Sequence, residues 1–106
     1  MRSSLIEKHL CDARGRPGGG STSGVGISIT WQDGPLGRGL DRKEPNGAVV
    51  ETVIAAALGR LEFYQGTQFV CRENALAITK LEEALHWLHA RTEDRERRGV
   101  EGTYQA

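Results

Sequence analysis

Two apolar seams in the C-terminal half leave this chain little freedom of fold. Val50, Ile54, Ala57, Leu61 and Tyr64 recur in steps of four and three, and Ala77, Leu81, Ala84 and Leu88 do the same further on. Such steps gather residues on one side of a helix, so each seam predicts an amphipathic helix. Gln65-Gly66-Thr67 breaks the first, and the short interval makes the pair an antiparallel αα-hairpin. Pro45-Asn46 opens the first helix, with Asn46 as the expected N-cap and Glu51 at the positive end of the dipole. The second is expected from about Cys71 to Arg98, with Gly99 as C-cap. Glu93–Arg97 and Asp94–Arg98 stand four apart in the supportive order. Ala55, Ala56, Ala57 and Gly59 leave room for close approach by another helix, although Gly59 weakens its own helix by ~1 kcal/mol against Ala. Two helices alone bury little apolar surface, so several hairpins are expected to pack together.

Ahead of the hairpin the pattern changes to a period of two. In Gly26 to Gln32 (G-I-S-I-T-W-Q), Ile27, Ile29 and Trp31 face one way and Ser28, Thr30 and Gln32 the other, which predicts a strand. Asp33-Gly34-Pro35 ends it. A strand needs a neighbour for its backbone donors and acceptors, and Leu36 to Leu40 is short and glycine-rich, so the expected neighbour is another copy of the chain. Arg14 to Gly24 (R-G-R-P-G-G-G-S-T-S-G) has the composition of a linker. Leu5 to Asp12 has room for a short helix but no surface to pack it on. The chain therefore divides into a loose extension, 1–23, and a strand-plus-hairpin domain, 24–106. The fold class is α+β: a short N-terminal antiparallel strand region, then a long two-helix hairpin, in an oligomer. Deleting residues 1–23 is expected to change neither assembly nor binding.

The 106 residues allow one domain, and 14 Lys/Arg balance 14 Asp/Glu. No net field draws the chain to nucleic acid or to a membrane, so neither is an expected partner. There is no apolar run of ~18 residues to span a bilayer, and Met1 to Leu10 lacks the apolar stretch of an export signal. Cys11 and Cys71 are then reduced thiols of a cytoplasmic protein.

The chemistry sits where the second seam turns polar. Asn74 lies seven residues before Leu81, Arg95 seven after Leu88, and Arg91 continues the line of Ala77 and Ala84. With Tyr64, Phe63, Phe69 and Trp31, these are the parts of a nucleotide site. Arginine grips phosphate with a planar fork of donors, rings stack on a base and an amide pairs with its edge. The plainer reading makes Asn74 a helix-start residue and the arginines solvated ends, and the residues alone leave both open. Other signals are weaker. No glycine run leads to Lys-Ser or Lys-Thr, and the pattern begun by Gly24 and Gly26 continues into Ile29, so a P-loop is not supported. Glu82, Glu83, His86 and His89 could meet across copies at a metal, but read more simply as a helix shoulder. His9 and Cys11 stand too far from other soft ligands for zinc. Cys71 beside Arg72 is only mildly electropositive, and no nucleophile–base set is legible. No metal, cofactor or enzymatic activity is expected.

The stretches G-I-S-I-T-W-Q-D-G-P-L-G-R, P-N-G-A-V-V-E-T-V-I-A-A-A-L-G-R-L-E-F-Y-Q, E-N-A-L-A-I-T-K-L-E-E-A and R-G-V-E-G-T resemble the phage anti-Thoeris and anti-CBASS hairpin family, from about Gly24 to the C-terminus. The strand ahead of the hairpin makes the chain more similar to the first anti-Thoeris type than to the shorter anti-CBASS proteins. The resemblance implies a sponge, assembled from dimers into hexamers in the cytoplasm of the infected bacterium. It would hold cyclic ADP-ribose isomers and, in a second pocket, cyclic oligonucleotides, without cleaving them. By the same resemblance Asn74 and Arg91 are ligand contacts, Tyr64 stacks on the base and Arg38 meets a phosphate. Arg95, Arg98, Gly99 and Thr103 would form the second pocket. The alternative is a structural or protein-interaction hairpin with no small-molecule ligand.

Overall fold

A computed structural model of the protein describes residues 4–106, so the first three residues of the expected extension lie outside it. The elements run β1 (Ile6–Cys11), β2 (Pro17–Gly24), β3 (Ile27–Trp31), a single 3-10 turn (Gly39–Asp41), α1 (Val50–Gln65) and α2 (Arg72–Arg97). The fold class is α+β, a three-stranded antiparallel sheet followed by a helical hairpin. The chain forms two compact units, residues 1–49 with 98–106, and residues 50–97.

In the first unit β2 lies between β1 and β3. This corrects the expectation of a loose extension, because residues 6–11 and 17–24 are strands and the neighbour of β3 comes from the same chain. It also replaces the expected short helix over Leu5 to Asp12 with β1. The physical reason is that pairing uses backbone groups, which Gly and Ser supply as well as Val or Ile, so a segment with nothing to bury still completes a ladder. The glycines also make room. Gly20 stands directly opposite Trp31, and the indole lies across β2 until its Nε1 donates to Thr22 Oγ1 at 2.9 Å. Gly20 has φ +144°, and a Cβ there would run into the Lys8 carbonyl. Thr22 and Val100 are the only buried residues among those described.

The β1–β2 turn is fixed by Asp12. Its carboxylate accepts the Arg14 and Arg16 amides at 2.9 and 3.0 Å and the Arg16 Nε at 2.7 Å. These bonds, the Arg16 amide first and its guanidinium next, hold the Asp12 carboxyl below the ordinary aspartate value. The Arg16 guanidinium also lies 4.3 Å over the Tyr104 ring, so the C-terminal segment belongs to this unit. Asn46 does not cap α1, which begins at Val50. It exchanges bonds with the end of β3 instead: its amide N–H donates to Gln32 Oε1 at 2.9 Å, its Oδ1 accepts from Asp33 N at 2.8 Å and its Nδ2 donates to Asp33 O at 3.0 Å. Beside it Ala48 makes a parallel bridge to Trp31.

The second unit is the hairpin. Gln65 clips its loop, accepting from Cys71 N and donating to Cys71 O, both at 3.1 Å. Cys71 stands just before α2 and its Sγ accepts from Asn74 N at 3.5 Å, so a thiol takes the N-cap role. The α2 seam is as expected, with Ala77, Leu81, Ala84 and Leu88 all half-buried. The α1 seam is rotated. Ile54, Leu58, Leu61 and Gln65 are half-buried, whereas Val50, Ala57 and Tyr64 are exposed. Turning Leu58 inward and Ala57 outward covers more apolar surface, since a leucine gains more from burial than an alanine. No residue of either helix is buried, and Phe63, Phe69, Val70, Leu76 and Trp87 stay exposed.

Candidate functional site

The predicted contacts fall in separate places. At the loop end of the hairpin stand Tyr64, Asn74 and an arginine that sequence reasoning missed. Arg60 places its guanidinium 4.9 Å over the Phe63 ring and 5.0 Å over the Tyr64 ring, and its Nε donates to Tyr64 Oη at 3.3 Å. The spacing was the available signal, since residues three and four apart on a helix are neighbours. Asn74 is half-buried on the α2 seam, with Nδ2 3.5 Å from Phe69 O, and Phe69 itself is exposed. A cation, rings and an amide thus share one end of the hairpin, which is the chemistry that stacks and pairs with a base.

Arg91 is at the other end. Its side chain is 60% exposed and its Nη2 lies 3.5 Å from Glu51 Oε1, across from the start of α1. Ala77 and Ala84, fourteen and seven residues before it in the same helix, are half-buried, whereas Arg91 is exposed. Seventeen residues separate Asn74 from Arg91 in α2, a span of roughly 25 Å at 1.5 Å per residue. One hairpin therefore does not bring the two onto a single nucleotide. Arg95 is half-buried in the last turn of α2.

The remaining predicted residues belong to the sheet unit. Arg38 is exposed, and its Nη1 donates to Glu101 O at 2.8 Å. Arg98 Nη1 donates to Ala106 O at 2.8 Å. Gly99 has φ +70°, the left-handed conformation that ends a helix. Thr103 Oγ1 donates to Val100 O at 2.5 Å and accepts from Gln105 N at 3.1 Å, so its hydroxyl is engaged in its own turn. On the helix shoulder His89 pairs with Glu93 at 2.7 Å. Among the described residues no three His, Cys, Asp or Glu side chains converge as a metal would need, and no helix is long and apolar enough to cross a membrane.

Residues 25–93 match the family model described as the Acb2/Tad1 hairpin domain. That segment holds β3, α1 and most of α2, and with them Arg38, Tyr64, Asn74 and Arg91. β1, β2 and the residues predicted for a second pocket lie outside it. The chain is also similar to a protein of Bacillus phage SBSphiJ7 named Thoeris anti-defense 1, with 58% identity over 78 residues. The matched region is 74% of this chain and 52% of that protein, so the chain spans about half the length of this curated relative.

Proposed function

The chain belongs to the Acb2/Tad1 hairpin family, and from that premise we propose that it is a phage anti-defence protein that captures cyclic nucleotide alarm signals without cleaving them. The proposed ligands are cyclic ADP-ribose isomers, taken up in the cytoplasm of the infected cell. The name of the Bacillus phage relative supports the anti-defence role.

One observation carries the ligand class. The hairpin bears an arginine stacked on aromatic rings beside an amide at one end, and an exposed arginine at the other. The first set suits a purine and the second a phosphate. A site using Asn74 with Tyr64 and also Arg91 then draws them from different copies, with hairpins packed against one another. Hexamers built from dimers would supply such sites, and the absence of any buried residue in α1 or α2 supports packing between copies. A second site for cyclic oligonucleotides is proposed around Arg95, Arg98, Gly99 and Thr103.

The test is to incubate the protein with a panel of cyclic ADP-ribose isomers and cyclic oligonucleotides, remove free ligand, denature by heat and weigh what is released. Unaltered ligand is the expected product. Arg91→Glu should weaken capture of the cyclic ADP-ribose isomer by about one to two decades, the loss of a charge-assisted bond of roughly 1.5–3 kcal/mol. Asn74→Ala should weaken it less. No capture from any member of the panel would leave an interaction hairpin, and a shortened or opened ligand would make the protein an enzyme.

A further inference from the structure

The C-terminal segment grips the loop that carries Arg38. Gly37 N donates to Gly102 O at 2.9 Å, and the next residue, Arg38, donates from Nη1 to Glu101 O at 2.8 Å. Both glycines are left-handed, with φ +86° at Gly37 and +81° at Gly102, and a Cβ on Gly102 would collide with the Gly37 carbonyl. Two backbones meet here at a distance that only glycine permits.

Each side of the contact is braced. Glu101 Oε1 accepts from Gly102 N at 3.1 Å, Thr103 N and Oγ1 both return to Val100 O, and Val100 is only 5% exposed. The Arg38 loop closes on itself, with Lys43 N donating to Leu36 O at 2.7 Å and Asp41 N to Arg38 O at 3.1 Å. A carbonyl on one guanidinium nitrogen fixes the plane of the fork, and a fixed plane is what two-point binding of a phosphate requires.

We propose that the Glu101–Gly102 turn is a positioning device for Arg38, orienting its guanidinium for an anionic ligand. The proposal rests on the reading of Arg38 as a phosphate contact, and it gives the C-terminal segment a role apart from any pocket of its own. Glu101 and Gly102 act through Arg38 and do not touch the ligand.

Two measurements test it. In the unliganded full chain, trypsin cleavage after Arg38 is timed by mass analysis for wild type, Gly102→Ala and a chain ending at Val100. Both changes should speed that cut about fivefold to tenfold, the effect of releasing one or two hydrogen bonds on the population of the open loop. An unchanged rate in both would overturn the clamp. Affinity for cyclic ADP-ribose is then measured for Gly102→Ala, Arg38→Ala and the double variant. Gly102→Ala should weaken binding when Arg38 is present and add nothing once Arg38 is gone. An equal loss in both backgrounds would mean that Gly102 acts elsewhere, and would overturn the positioning role. If the wild type binds no cyclic ADP-ribose, the proposed function falls while the cleavage rates still decide the clamp.

Discussion

The two units hold together by opposite means. The sheet unit has almost no apolar interior, with Val100 and Thr22 the only buried residues among those described, and it is tied by specific polar contacts. Thr22 receives the Trp31 indole, Asn46 exchanges bonds with Gln32 and Asp33, and Asp12 holds the β1–β2 turn. The hairpin has a continuous apolar seam with few cross-bonds, and it leaves Phe63, Phe69, Val70 and Trp87 in solvent. Directional bonds complete themselves within a small unit, whereas an apolar seam is satisfied only by enough partner surface. The hairpin is therefore the unit expected to respond to other copies, and the sheet unit the one expected to respond to single polar changes.

Deleting residues 1–23 should have the largest effect, because it removes β1 and nearly all of β2 and leaves β3 without a ladder. Trp31 fluorescence should shift to that of a solvated indole while most of the helical circular dichroism persists. Loss of the helical signal as well would show that the hairpin depends on the sheet unit. Next is Leu58→Ala, which should cost about 2 kcal/mol in urea unfolding, the low end for a leucine because the side chain is only half-buried. Ala57→Arg should be neutral to within ~0.5 kcal/mol for a free hairpin, so a change of assembly size by light scattering would place Ala57 between copies.

Thr22→Val tests the other strategy. It keeps the volume but leaves the indole N–H without its acceptor, at a cost of roughly 1–3 kcal/mol read from chemical unfolding. A neutral result would mean that the ring finds another acceptor. The smallest effect is that of pH on the β1–β2 turn. The Asp12 carboxyl is held below the ordinary aspartate value, so its stabilisation is complete above that value and is lost as pH falls through the lowered one. An NMR titration should find Asp12 with a lower midpoint than a free aspartate, and Asp12→Asn should abolish the acid-induced loss of protection at the Arg14 and Arg16 amides, measured against their intrinsic exchange rates. An ordinary midpoint would mean that the turn bonds do not persist in solution.

Much of the hairpin was legible in the sequence. The seam of α2, the break at Gln65-Gly66-Thr67 and the left-handed Gly99 follow from periodicity and capping, which are local. The rotation of α1 was not, because Ala57 and Leu58 are adjacent and either lies on an acceptable apolar line until a facing helix chooses between them. The β2 strand was hidden for another reason. P-G-G-G-S-T-S-G shows no side-chain pattern, and its place in the sheet depends on backbone bonds and on the close approach of the Lys8 carbonyl to Gly20. Asn46 looked like a cap because its type and position suited one, yet a group distant in sequence, the Asp33 N–H, took its side-chain oxygen. Arg60 carried a readable signal in its spacing to Phe63 and Tyr64, three and four residues on along the helix.

The sequence by itself determined that this chain would make an αα-hairpin after a strand region, and which residue types for gripping phosphate and stacking on a base it would carry. Those properties follow from periods of two and 3.6 and from side-chain chemistry, which need no knowledge of distant contacts. The tertiary structure alone decided that a glycine-rich stretch is the central strand, that Gly37 and Gly102 meet, and that Leu58, and not Ala57, turns into the hairpin seam. Such facts depend on which backbone groups find each other across dozens of residues, and that choice is made by hydrogen bonding and available space, which no local pattern encodes.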